Sequence, residues 1–193
     1  MQSTLGYALL AVLHRAPQTA YELAARLRRP VAYFWHAQYS QIRPELRRLL
    51  AAGLVTVDAA PGPGPRDKKV YSLTAAGRRA LREWLPEPPR AQPVRNELLL
   101  KAYAIWAADP IAASRLFEHQ AATHKARLAE YETQRAAVEA RHDHGPPPAD
   151  HPDFGNYAAL EYGIGYEKHC IAWCEWMNSR LAQTTSQSSR GRA

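Results

Sequence analysis

The chain has 193 residues, 46% hydrophobic and 22% charged, with a formal net charge of +7. That is enough for one large or two small domains of ordinary soluble composition, and no apolar run approaches the ~20 residues of a membrane span. Two cysteines, and no basic-then-apolar leader over Met1–Leu13, predict free thiols in a reducing cytoplasm and no membrane association.

The charge is unevenly placed. Residues 1–85 hold 13 Lys and Arg against 5 Asp and Glu, a balance of +8, whereas residues 86–193 come to −1. A basic module joined to a neutral one fits a polyanion-binding head with a body for another task.

Thr4 is the predicted cap of a first helix with an apolar stripe of Leu5, Ala8, Leu9, Val12 and Leu13, ended by Ala16-Pro17. A second helix is predicted from Ala20 to Arg29, with Leu23, Ala24 and Leu27 inward and Pro30 as its stop. Ile42, Leu46, Leu49 and Leu50 recur at helical spacing and predict a third. Ser40 can serve its free N–H groups, Pro44 lies near enough its start to be tolerated, and Gly53 supplies a left-handed stop. Its other face carries Gln41, Arg43, Glu45, Arg47 and Arg48. Strands are predicted at Leu54–Asp58 and about Lys68–Leu73. The Pro- and Gly-rich loop between them, Ala59 to Asp67, carries Arg66 and ends beside Lys68 and Lys69. Thr74 caps a fourth helix with Gly77, Ala80, Leu81, Trp84 and Leu85 at helical spacing, Trp84 as core.

Three helices, the last of them basic, followed by a two-stranded hairpin make a winged helix-turn-helix. The third helix suits the major groove, where Gln and Arg pair with base edges. Gln41, Arg43 and Arg47 are the candidates for reading bases. Tyr21, Tyr39, Ser40, Arg48, Arg66, Lys68 and Lys69 are the candidates for holding phosphates.

Pro86-Glu87-Pro88-Pro89 marks the boundary. The fold class is therefore mainly α with a small β-wing: a DNA-binding domain over 1–85, a linker over 86–96, a helical dimerisation and effector domain over 97–182, and a disordered tail over 183–193. Leu98, Ala102, Ile105 and Trp106 define one helix, and Asp109-Pro110 starts a long one running to about Arg141. Phe117, Ala121, His124, Leu128, Tyr131, Arg135 and Val138 alternate by four and three, a coiled-coil-like seam that His124 and Arg135 make imperfect. A last helix, about Asn156 to Leu181, aligns Leu160, Ile164, Ile171, Cys174 and Leu181. Two such helices predict a homodimer, with Phe117, Ala121, Leu128, Tyr131, Val138, Ile164, Ile171 and Cys174 in its interface.

Other constellations have two readings each. His142, Asp143, His144, Asp150, His151 and Asp153 flank Gly145-Pro146-Pro147-Pro148 and could hold a transition metal or be ordinary loop composition. Cys170 and Cys174, one turn apart, could be a redox pair or small buried hydrophobes. In each case the plain reading is preferred, so neither metal nor cofactor is expected. Tyr33, Phe34, Trp35 and Trp106 could line a pocket for a flat organic ligand or fill core. No phosphate loop, Gly-x-Ser-x-Gly or metalloprotease motif is present, so no enzyme is expected.

Tyr21-Glu22-Leu23, Phe34-Trp35-His36, Ser40-Gln41-Ile42-Arg43-Pro44-Glu45-Leu46, Gly53-Leu54-Val55 and Lys69-Val70-Tyr71-Ser72-Leu73-Thr74-Ala75-Ala76-Gly77 resemble, in order and spacing, the PadR family of bacterial transcriptional regulators. The resemblance covers about residues 5–85 and extends more loosely to the long helical C-terminal domain of members that resemble the phenolic-acid repressor. Arg43 stands where the family usually has Tyr, and Ala20 where it usually has Gly. The resemblance implies a dimeric repressor on a pseudo-palindromic duplex operator, released by a small aromatic effector. An activator without a ligand, and a helical protein–protein adaptor with a basic head, are the alternatives.

Overall fold

A computed structural model describes residues 2–28, 39–61, 67–89 and 95–190, with Arg28, Tyr39 and 184–190 described by their backbone alone. The chain forms two compact units, Met1–Arg90 and Ala91–Ala193. Among the described residues no helix is long and apolar enough to cross a membrane.

The first unit runs α1 (Thr4–Leu13), β1 (Gln18–Thr19), α2 (Ala20–Arg28), α3 (Tyr39–Ala51), β2 (Val55–Ala60), β3 (Lys68–Leu73) and α4 (Ala75–Trp84). The cap of α1 is Ser3 rather than Thr4: its hydroxyl accepts the Gly6 N–H at 2.9 Å, one residue earlier than the apolar stripe suggested. Leu9, Leu10 and Leu13 of α1, Leu23 and Leu27 of α2, Ile42, Leu46 and Leu49 of α3, and Val55, Leu73 and Leu81 form one buried core. Trp84 is half-buried at its margin and stacks on Tyr7 with ring centres 4.4 Å apart, while Leu85 turns outward.

The hairpin is antiparallel, with Val55 opposite Leu73 and Ala60 opposite Lys68. The sequence showed no sign of β1, whose two residues pair with Tyr71 and Val70 and make β3 the middle strand. A two-residue strand has no periodicity to detect; only its distant partner defines it.

Two local devices join α3 to the wing. Gly53 takes φ +67°, the left-handed stop expected of it. Thr74 caps α4 by accepting the Gly77 N–H at 3.0 Å, and its hydroxyl lies 2.8 Å from the Gly53 carbonyl and 3.0 Å from that of Leu54. A β-carbon on Gly77 would stand 2.2 Å from the Leu54 carbonyl oxygen and 2.6 Å from Leu73 Cδ1, so α4 can approach the strand only with glycine there.

The second unit holds α5 (Glu97–Tyr103), a 3₁₀ turn (Ile105–Ala107), α6 (Pro110–Glu139) and α7 (Phe154–Arg190). The single helix expected over Leu98–Trp106 is thus broken at Ala104, and Trp106 is 86% exposed. Asp109 caps α6 through the Ala112 N–H with Pro110 in the first turn, as expected. The tail expected to be disordered continues α7 to Arg190, and residues 191–193 lie outside the described residues.

α6 and α7 form an antiparallel hairpin. Ser114 meets Asn178, Phe117 meets Trp173, His124 meets Glu167, Arg135 meets Glu161 and Glu139 meets Tyr157, so partner numbers fall as α6 advances. The seam assigned to a homodimer is therefore corrected: Phe117, Ala121, Tyr131, Val138, Ile164 and Cys174 are buried within one chain. Leu128 and Ile171 are half-buried. Its two polar members gain partners inside the hairpin. His124 Nδ1 pairs with Glu167 at a site buried on both sides. Arg135 lies 3.0 Å from Glu161 and 3.6 Å from Glu139, and the Glu161 hydrogen bond holds its guanidinium still more firmly charged.

Two glycine substitutions test this packing with opposite signs. Gly77→Ala should lower the stability of the first unit by about 1–3 kcal/mol through overpacking. Gly165→Ala, in α7 with nothing within 4 Å of the added carbon, should raise that of the second by about 0.5–1 kcal/mol from helix propensity. Urea unfolding monitored by circular dichroism checks both; a Gly77→Ala protein as stable as the parent would contradict the close approach.

Candidate nucleic-acid interface

The rotation of α3 decides which side chains leave the protein. Ile42, Leu46 and Leu49 have zero exposure, which turns Gln41, Arg43, Arg47 and Arg48 outward. Glu45, expected on that outer face, is instead buried to 3% exposure. Its Oε1 accepts a 2.6 Å hydrogen bond from the Ser3 hydroxyl, and its Oε2 accepts one of 3.0 Å from Arg48 Nη1. The carboxylate thus ties α3 to the N-terminus of α1 and steadies one of the outward arginines. A β-carbon on Gly6 would come within 2.7 Å of Glu45 Oε1, so α1 also leaves room for it. Sequence reasoning missed this residue because charge alone assigned it to solvent; Ser3 and Gly6, spaced as a cap and a small residue, were the available signal.

α2 begins with a reciprocal cap. Thr19 Oγ1 accepts the Glu22 N–H at 3.2 Å, and Glu22 Oε2 accepts both the Thr19 N–H at 2.7 Å and the Thr19 hydroxyl at 2.8 Å. These hydrogen bonds, the Thr19 backbone bond first and nearby Lys68 and Arg26 later, hold the Glu22 carboxyl below its usual range. The cap fixes the start of α2 directly beside β1, and Tyr21 projects from it at 75% exposure.

These elements meet in an open cleft of about 670 Å³ lined by Thr19, Ala20, Tyr21, Arg43, Arg47, Asp67, Lys68, Lys69 and Tyr71. Five of the residues assigned from sequence to DNA are brought together here: Tyr21 from α2, Arg43 and Arg47 from successive turns of α3, and Lys68 and Lys69 from β3. Gln41, Ser40 and Arg48 are exposed on α3 but do not line the cleft. Tyr71 was not foreseen; it is buried in the first-unit core and also lines the cleft. Arg66, Tyr33, Phe34 and Trp35 lie outside the described residues, as does the side chain of Tyr39.

Four cations against one acidic residue, Asp67, make the cleft an attractive seat for phosphates, while two arginines one helical turn apart can reach toward base edges. None of the lining groups forms a nucleophile–base pair or a phosphate-cradling loop.

Comparison with known proteins agrees with this geometry. Residues 9–83 match the Transcriptional regulator PadR-like family, and residues 94–182 match the Virulence activator alpha C-term family. The negative transcriptional regulator PadR of Bacillus subtilis (strain 168) is 32% identical over 176 residues, spanning 89% of this chain and 93% of that protein. The crystal structure of Bacillus subtilis PadR in complex with operator DNA superposes with a TM-score of 0.84 at 30% identity, over 93% of this chain and 99% of that one. The complex of the same protein with p-coumaric acid superposes at 0.78, also at 30% identity and over the same shares of each chain. The chain belongs to the PadR-like family of transcriptional regulators.

Proposed function

We propose that the protein is a dimeric repressor that reads a pseudo-palindromic duplex operator through α3 and is released by a small aromatic acid. The observation that carries this reading is the cleft in which Arg43 and Arg47 of α3 stand beside Lys68 and Lys69 of the wing. Arg43 and Arg47, with Gln41 beside them, read base edges; Tyr21, Ser40, Arg48, Lys68 and Lys69 hold phosphates, with Tyr39 and Arg66 retained from the sequence reading. Support for the operator and the ligand comes from the Bacillus subtilis relative, whose structures contain operator DNA and p-coumaric acid. Tyr33, Phe34, Trp35 and Trp106 remain the candidates for ligand contact.

The second copy needs a surface other than the seam. Leu99, Leu100, Tyr103, Ile111, Tyr162 and Trp176 of the second unit are each at least half exposed. Large apolar groups in that number on one helical unit favour burial against a second copy.

Three outcomes follow from these assignments. Arg43→Ala should cost about 1–3 kcal/mol on the cognate duplex and much less on random DNA, while Lys69→Ala weakens both alike; fluorescence anisotropy at fixed salt measures the difference. Equal losses from both changes on both duplexes would leave Arg43 as a phosphate contact only. The Leu100→Glu, Tyr162→Glu double variant should sediment as a monomer with unchanged helical circular dichroism, because each charge would lie unpaired in the interface. A persisting dimer would move the contact elsewhere. p-Coumarate should quench tryptophan fluorescence and dissociate the operator complex, and a ligand that weakens DNA binding tenfold must itself bind about tenfold more weakly to the DNA-bound protein. Equal affinity for free and DNA-bound protein would remove it as an inducer.

A further inference from the structure

The turn joining α6 to α7 carries a side-chain cluster that the regulatory reading does not use. His142 follows the end of α6, and His151 and Asp153 immediately precede Phe154, where α7 begins. One ligand atom from each of the three lies within 4.8 Å of the other two. His142 Nε2 is 3.2 Å from Asp153 Oδ2, and the His142 and His151 rings meet edge to face with centres 4.5 Å apart.

The cluster is held by backbone as well as by side chains. His142 N–H donates to the Glu139 carbonyl, Gly145 N–H to that of His142, His151 N–H to that of Pro148 and Phe154 N–H to that of His151, at 2.9–3.0 Å. Pro146, Pro147 and Pro148 restrict the backbone between the ligands. Asp143 and His144 sit at φ 52° and 60°, a left-handed pair that reverses the chain and returns His151 and Asp153 to His142. Asp153 N–H donates to His151 Nδ1 at 3.1 Å and so orients that ring. The Asp153 carboxyl is kept below its usual range, chiefly by the His142 hydrogen bond and then by Arg141.

We propose that His142, His151 and Asp153 form a binding site for a divalent transition-metal ion that clasps the turn between α6 and α7. Two imidazoles and one carboxylate are a borderline donor set, suited to Zn²⁺, Ni²⁺ or Cu²⁺ rather than to oxygen-seeking Ca²⁺ or Mg²⁺. Ligand atoms around tetrahedral Zn²⁺, with bonds of about 2.1 Å, stand roughly 3.4 Å apart. The cluster, whose ligand atoms lie within 4.8 Å of one another, therefore closes by at most about 1.4 Å at its widest edge, within the reach of side-chain rotation. Arg141, 3.3 Å from Asp153 Oδ2, shares a carboxylate with lone pairs enough for both and becomes its outer partner. His151 gives up the hydrogen bond from the Asp153 N–H to take the ion, since its Nδ1 is then either bound to the ion or, with the ion on Nε2, protonated. Three protein ligands leave a position open to solvent, so the ion is exchangeable, and because they come from both ends of the turn its binding stabilises the hairpin.

Untagged full-length protein, stripped with a chelator, is titrated with Zn²⁺ by calorimetry and followed by thermal unfolding. One ion per chain should bind and raise the unfolding midpoint. His142→Ala, His151→Ala and Asp153→Asn should each lose at least about tenfold in affinity and show no midpoint shift, with circular dichroism in chelator matching the parent. His144→Ala, outside the cluster, should bind as the parent does. Affinity unchanged in the three ligand variants, equal loss in His144→Ala, or binding by an adventitious ion only, at millimolar Zn²⁺ without stoichiometry, would each overturn the proposal.

Discussion

The buried face of α3 is the constraint on which the outward basic surface depends. Ile42, Leu46 and Leu49 are sealed from solvent, and Glu45 beside them is held by Ser3 from α1. Rotating the helix by a fraction of a turn would expose those side chains at a cost of roughly 1.5–3 kcal/mol each and leave a buried carboxylate without its partner. The outward direction of Arg43 and Arg47 is thereby set by burial behind them. Gly53 and Thr74 carry the same orientation into the wing, where a Gly77 without a β-carbon lets α4 close against the strand. The basic cleft is the consequence: α3 and β3 deliver charge to one place, with Tyr21 of α2 beside them, because one core holds all three elements.

The two polar positions in the long seam show the same logic in the second unit. His124 and Arg135 looked like flaws in a coiled coil. Paired with Glu167 and Glu161 on α7, they become register markers, since sliding the hairpin by one turn would strand a buried histidine and a buried carboxylate. Apolar packing by Phe117, Ala121 and Cys174 supplies area but little register of its own. Such polar pairs favour one alignment of α6 and α7 over its neighbours.

Most of the first unit was legible because its elements punctuate themselves. The α3 stripe, the Gly53 stop, the Thr74 cap and the strand from Lys68 to Leu73 are all local signals, and the structure has each of them. What could not be read was non-local. β1 exists only through Tyr71 and Val70, and Glu45 is inside only because Ser3 reaches it from 42 positions away. The heptad-like spacing from Phe117 to Val138 correctly foretold a buried seam but not whose helix would cover it, since α7 of the same chain and a partner's helix present the same apolar period. Of the ten residues assigned to DNA, Tyr21, Arg43, Arg47, Lys68 and Lys69 converge on one cleft.

The central claim is that α3 enters the major groove with Arg43 at a base edge. Methylation interference tests it most directly, on a duplex that the full-length protein selects from a random pool. Guanine N7 lies in the major groove and is the acceptor an arginine pairs with. The account predicts two patches of N7 interference, about one helical turn apart, with the position contacted by Arg43 losing its interference in Arg43→Ala. Interference confined to adenine N3 in the minor groove, or an N7 pattern identical in parent and variant, would contradict it.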